Sequence, residues 1–233
     1  MIRRWLSPLN DLGMQLLTLY LLIIIPAIII LFGFDQLAGQ QIQANVKAND
    51  LSLARAIALE TDLSISQSMR AVEGLSQHSG VLRGDKKQME EVFSTFLRTR
   101  PDVNLIYRLD SKGKMLYHYP SGENPTIGED FSFRDYYKRA LQSKEPLVSK
   151  GRISPTTNQA VATTVMPMWD GDNFLGIVAT NIKLASLSET LGEIVSTYNP
   201  EDGFDIVILD ANAKIIAYPD STFLLENGEN LLP

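Results

Sequence analysis

The chain has no cysteine and only two histidines, His78 and His118, among its 233 residues. Without thiols, disulfides, Cys-ligated zinc, iron–sulfur clusters and cysteine nucleophiles are all excluded. Two isolated histidines offer too few nitrogens for a multi-histidine metal site, and His118 has no Asp or Ser arrangement of the kind a catalytic triad needs. A basic excess is also missing. Lys and Arg number 21 against 27 Asp and Glu, a net charge of −6 spread along the chain. That balance gives no electrostatic reason to expect nucleic acid as a partner. Gly122-Glu123-Asn124-Pro125 reads as a turn, not a phosphate loop. Asp170-Gly171-Asp172-Asn173 lacks the spacing and the closing Glu of a calcium loop. No cofactor is implied, and no enzymatic activity is expected of these residues.

What is present begins with an uncharged run over residues 14–34, softened only by Gln15, Thr18 and Tyr20. At about 1.5 Å per residue such a run spans about 30 Å, the thickness of a bilayer core. Pro26 is tolerated inside a membrane helix. No small-x-small cleavage signal follows Phe34, so the run reads as an uncleaved transmembrane anchor rather than a signal peptide. Arg3 and Arg4 precede it, and the next basic residue is Lys47. The positive-inside rule puts residues 1–13 in the cytoplasm and residues 35–233 outside the cell membrane.

Residues 35–78 contain no proline and only two glycines, Gly39 and Gly74. Ile42, Val46, Leu53, Ile57, Ile65, Met69 and Val72 form one apolar stripe at helical spacing. The pattern predicts a long stalk helix, either continuous or broken into two, that packs on a domain or on a second copy of itself. After Gly84, Asp85 caps a predicted helix over 86–99. Strands are predicted over 103–109, 114–119, 147–153, 160–166 and 174–182, with a short helix over 133–142 and another over 186–198. The expected class is α+β, an antiparallel sheet with helical insertions. Leu109-Asp110-Ser111-Lys112-Gly113-Lys114, followed by Tyr119-Pro120, repeats as Leu209-Asp210-Ala211-Asn212-Ala213-Lys214, followed by Tyr218-Pro219. A hairpin alone does not demand that match, so residues 201–233 read as a second, incomplete module after a first one over 79–200.

The repeated hairpin, the segment Phe131-Ser132-Phe133-Arg134-Asp135-Tyr136-Tyr137, Pro167 before a turn, and Gly176-Ile177-Val178-Ala179-Thr180-Asn181-Ile182 together resemble the double Cache family of bacterial extracytoplasmic sensor domains. The resemblance runs from about residue 14 to the end. It implies two PAS-like modules, a membrane-distal one that binds a small molecule and a membrane-proximal one, here incomplete. It also implies a role as the sensing input of a receptor in signal transduction and a homodimer formed through the long helix. Family members that bind amino acids carry Arg-x-Trp-Tyr on the short helix and an acid at the end of the later strand. Arg134 and Tyr137 match that pattern. Tyr136 stands for the tryptophan, Asn181 for the acid, and Arg152-Ile153-Ser154 for a Tyr-x-Asp.

The resemblance therefore implies a pocket lined by Arg134, Tyr136, Tyr137, Arg152 and Asn181, with its ammonium-binding half missing and an organic acid favoured as ligand. Read without the family, Arg134 is a surface cation beside Asp135 or Glu129, and Arg152 is a solvated strand residue. A structural alternative, an anchored assembly protein dimerising through its long helix, predicts no ligand-dependent stabilisation.

Overall fold

The computed structural model describes residues 12–122, 125–198 and 206–231. Arg3, Arg4, the centre of the turn at Glu123-Asn124 and the start of the second module near Asp202 lie outside the described residues. The chain divides into two compact units, residues 1–55 and 56–233.

The first unit is helical. Helix α1 runs over Leu12–Ser76 with Pro26 inside it. It is the one helix among the described residues that is long and apolar enough to cross a membrane. Leu22, Ile23, Ile29, Ile30, Leu31 and Phe32 all present their side chains outward. An apolar surface on every side is what a helix needs in hydrocarbon and what a soluble protein avoids. The residues of 35–78 predicted as helix are continuous with it as far as Ser76.

The second unit is the α+β part. Helices α2 (Ser79–Arg83) and α3 (Lys86–Thr99) follow α1. Asp85 caps α3 through hydrogen bonds accepted from the Lys87 and Gln88 amides. The sheet comprises β1 (Val103–Leu109), β2 (Met115–Tyr119), β3 (Leu147–Val148), β4 (Arg152–Ile153), β5 (Ala160–Asp170) and β6 (Asn173–Lys183), with α4 (Asp135–Ala140) between β2 and β3. Strand order is β2-β1-β6-β5-β3, with β4 also paired to β5, and every pairing is antiparallel.

Side-chain alternation gives the sheet two different faces. One carries Leu105, Tyr107, Val165, Ile177 and Ala179 and is covered by Tyr136, Tyr137 and Ala140 of α4. The other carries Ile106, Val178 and Met168 and packs on Val72 and Leu75 of α1, Val81 of α2, and Met89 and Phe93 of α3. A register shift between Val103 and Leu105 puts Val103 on the helical face, where plain alternation would have sent it to the other.

Arg108 lies on that helical face and is buried. It has no carboxylate in contact. Its guanidinium donates instead to backbone carbonyls: Val81 of α2 at 3.2 Å, Leu175 at 2.7 Å, Ile177 at 3.3 Å, and its neighbour Leu109. Burial pushes its pKa down to about 10, with Asp110 and Tyr137 acting in the opposite direction. It remains charged at neutral pH and ties α2 to the sheet.

Helix α5 (Leu184–Tyr198) follows β6, and then a short hairpin forms from β7 (Ile208–Leu209) and β8 (Ile215–Ala217). The repeat read in the sequence is also a repeat of geometry. In the first hairpin Asp110 Oδ1 accepts from the Lys112 and Lys114 amides; in the second Asp210 Oδ1 accepts from Asn212 and Lys214. Gly113 and Ala213 both adopt positive φ, 84° and 58°. The segment returning beside each hairpin is also bonded alike, the Phe131 amide to Gly113 O and the Gly228 amide to Ala213 O, each at 2.8 Å.

Candidate functional site

The register of β5 and β6 sets Thr163 opposite Asn181, and that of β1 and β6 sets Leu105 opposite Asn181. Thr163 and Asn181 therefore share the face covered by α4. Arg152, on β4 at the edge of β5, reaches over both. Its Nη2 donates to Thr163 Oγ1 at 2.8 Å and to Asn181 Oδ1 at 3.3 Å. The Thr163 hydroxyl donates to Asn181 Oδ1 at 2.8 Å, and Asn181 Nδ2 donates to Ser154 Oγ at 3.3 Å. From above, the Tyr136 ring lies 5.3 Å from the Arg152 guanidinium carbon, a cation–π contact.

Tyr107 completes the cluster. It is buried, and its phenol is pushed well above the ordinary value, first by burial and next by Tyr136, with the Arg152 charge opposing. Its hydroxyl lies near those of Tyr136 and Thr163 but forms no hydrogen bond of good geometry. Arg152 Nε is likewise buried without a partner. Among the described residues Arg152 forms no salt bridge, and the network contains no carboxylate.

Of the five predicted residues, Arg152, Tyr136 and Asn181 thus come together. Arg134 stands at the N-cap of α4, with its guanidinium 4.9 Å from the Phe133 ring and its Nε buried and unpartnered. It makes no hydrogen bond or ring contact with the other four. Tyr137 turns the other way along α4. Its hydroxyl reaches Asp110 O at 3.4 Å and its ring packs edge-on against Phe174. Tyr107, Thr163 and Ser154 were not read from the sequence as site residues. The alternation of β1 and β5 would have shown Tyr107 and Thr163 on one face, but not that the face is the one beneath Arg152.

The loop after β4 closes the edge of the cluster. Asn104 holds Thr157 Oγ1 at 3.3 Å and Gln159 Oε1 at 2.6 Å, and Thr156 shares a 2.9 Å hydroxyl contact with Thr126. His118 holds Thr126 in turn: its Nδ1–H donates to Pro120 O at 2.8 Å and its Nε2 accepts from the Thr126 amide at 3.2 Å. These partners account for His118 structurally. A separate groove of about 180 Å³ lies between α1 and α5, lined by Ile57, Glu60, Leu187, Leu191 and Ile208. It presents an acid and no cation, so its chemistry does not connect with the Arg152 network.

The Cache domain family model matches residues 36–231. The chain belongs to the Cache domain family, in its double form. It is 21% identical over 218 residues to the methyl-accepting chemotaxis protein PscA of Pseudomonas syringae pv. tomato, matching 94% of this chain and 34% of that protein. To the methyl-accepting chemotaxis protein McpA of Bacillus subtilis it is 24% identical over 208 residues, 85% of this chain and 29% of that one. The chain therefore spans about a third of the length of these relatives.

Among solved structures the fold matches the ligand-binding domain of the Pseudomonas fluorescens chemoreceptor CtaA in complex with L-serine. The TM-score is 0.60 at 18% identity, covering 77% of this chain and 74% of that one. It also matches the ligand-binding domain of the Pseudomonas aeruginosa amino-acid chemoreceptor PctC in complex with GABA. There the TM-score is 0.57 at 24% identity, covering 78% and 80%. This Cache chain thus has the fold of chemoreceptor ligand-binding domains.

Proposed function

We propose that this Cache chain is the extracytoplasmic sensing input of a membrane receptor, anchored by the apolar part of α1, and that its ligand is a small carboxylate held by Arg152. The observation that supports the ligand class is the direction of the hydrogen bonds. Asn181 Oδ1, the atom best placed to accept from an ammonium, already accepts from Arg152 and Thr163. At Arg152 itself what remains open is a donor, its buried Nε. Donors without acceptors suit an anion, and a guanidinium pairs with a carboxylate through two parallel bonds.

Arg134, at the N-cap of α4, is the second candidate cation of the site, with Tyr136 as a wall. A bound anion bridging β4 and α4 favours a closed module and shifts the population of α1 positions. The homodimer through the long helix belongs to this reading. So does the topology: a reporter fused after Gly84 is expected to be active only if its activity requires export.

The second reading is an amino-acid ligand, which the solved relatives with L-serine and GABA favour. An amine would have to displace Arg152 from Asn181 Oδ1. The test is thermal shift and calorimetry on the full chain in detergent with propionate, lactate, alanine and ethylamine. Carboxylates are expected to stabilise it and ethylamine to have no effect. Arg152→Ala is expected to weaken carboxylate binding about tenfold to a hundredfold, the worth of a charge-assisted contact of about 1.5 to 3 kcal/mol. Asn181→Asp is expected to weaken it too, by giving Arg152 an internal counter-ion. Tighter binding of alanine than of either propionate or lactate would sink the carboxylate reading in favour of the amino acid. No stabilisation by any of the four would favour the assembly role.

A further inference from the structure

The carboxylate reading leaves the Tyr107 hydroxyl, beneath the Arg152 network, unexplained. Tyr107 is 2% exposed, and its hydroxyl has no partner. Buried polar atoms are normally hydrogen-bonded, and a buried side-chain oxygen without a partner calls for an explanation. Of the groups around it, Thr163 and Asn181 are committed elsewhere, while the Tyr136 hydroxyl lies near it without a hydrogen bond of good geometry. The Thr163 hydrogen goes to Asn181 Oδ1, and the Thr163 oxygen accepts from Arg152. Asn181 uses its oxygen for those two and its amide for Ser154. The network is thus closed without Tyr107, which lies on the same sheet face, beneath Tyr136 of α4.

We infer that Tyr107 is a specificity residue, and that the ligand is a short 2-hydroxy monocarboxylate whose carboxylate meets Arg152 and whose hydroxyl meets Tyr107. This rests on the carboxylate reading and narrows it. Charge decides against a second carboxylate. One guanidinium stands in the network, so a second buried anion there would be unpaired, which is far costlier than burying a neutral oxygen. Arg134 makes no contact with the network and rests on Phe133. A phenol whose ionisation burial suppresses can donate to an oxygen but cannot compensate a charge. A hydroxyl beside the carboxylate supplies a neutral oxygen at short reach, and it can both accept from Tyr107 and donate.

The experiment compares lactate, propionate and succinate by calorimetry on the full chain in detergent, for the wild type and for Tyr107→Phe. Removing an unpartnered hydroxyl leaves the ring packing intact, so the variant is expected to melt no lower than the wild type. Wild type is expected to bind lactate about two- to tenfold tighter than propionate, the worth of one neutral hydrogen bond. Tyr107→Phe is expected to abolish that preference while leaving propionate affinity unchanged. Equal affinity for lactate and propionate in the wild type overturns this inference and leaves the carboxylate reading intact. So does a Tyr107→Phe variant that weakens both alike. Succinate binding tighter than lactate also overturns it and makes Arg134 the partner of a second carboxylate. If none of the three acids binds, the carboxylate reading fails with it.

Discussion

Gly176→Ala is expected to unfold the sheet module. Gly176 has φ +109°, outside the region an L side chain readily adopts. A Cβ there would lie 2.2 Å from Leu109 O, 2.6 Å from the Asp110 carbonyl carbon and 2.6 Å from Arg108 Nη1. Two of those three atoms are backbone, so no rotamer change relieves the clash. The position is flanked by the two β6 carbonyls that hold Arg108, Leu175 O and Ile177 O. Moving β6 away from β1 would strip the buried guanidinium of these acceptors, and with them part of the tie to Val81 of α2. Strain, overlap and an under-satisfied buried charge add together, so the loss is expected to exceed about 4 kcal/mol, the range of exceptional single substitutions. Urea unfolding of the full chain followed by circular dichroism measures it. A variant whose midpoint stays within about 1 kcal/mol of the wild type would show that the β1–β6 pairing is far more pliable than these distances imply.

The double substitution Ile24→Arg and Ile29→Arg is expected to release the chain from the membrane. Both residues sit in the middle of the apolar part of α1, and Ile29 is 65% exposed with no protein to cover it. A cation at the centre of a spanning helix costs about 2.5 to 3.5 kcal/mol on the insertion scale, so two cost about 5 to 7 kcal/mol. Five residues apart, the two arginines lie on different sides of the helix, and snorkelling in one direction does not rescue both. Fractionation after expression checks it: the variant belongs in the soluble or degraded fraction. Membrane association as strong as that of the wild type would mean that another part of the protein holds it there.

The two expectations draw on different kinds of information. The apolar helix is legible as sequence because its signal is composition alone, and residues 14–34 carry no charge. Local signals also placed α3 over Lys86–Thr99 and β1 over Val103–Leu109, where a cap and an apolar alternation act within a few residues. The repeated Leu-Asp turn was legible for the same reason, since Asp110 and Asp210 bond to amides only two and four residues on.

Strand 147–153 was less so. It splits into β3 and β4 at Ser149-Lys150-Gly151, where Gly151 packs against Leu225, Ile216 and Leu184 and Lys150 bonds to Asn212. Those partners are 33 to 74 residues away in sequence, beyond any local pattern. The same holds for the site. Asn181, Arg152 and Tyr136 were named from a motif, yet nothing in the motif says that Arg152 would face Asn181 while Tyr137 turned to Asp110.

The sequence by itself determined the apolar helix, the α+β class and the paired hairpins, all of which follow from composition or short-range spacing. Only the tertiary structure decided which face of β1, β5 and β6 lies beneath α4. On that choice depend the burial of Tyr107 beside Thr163 and of Arg108 among backbone carbonyls on the opposite face. The reason is the two-residue period of a strand: alternation sorts neighbours onto opposite faces, but long-range register and packing choose which helices cover each face.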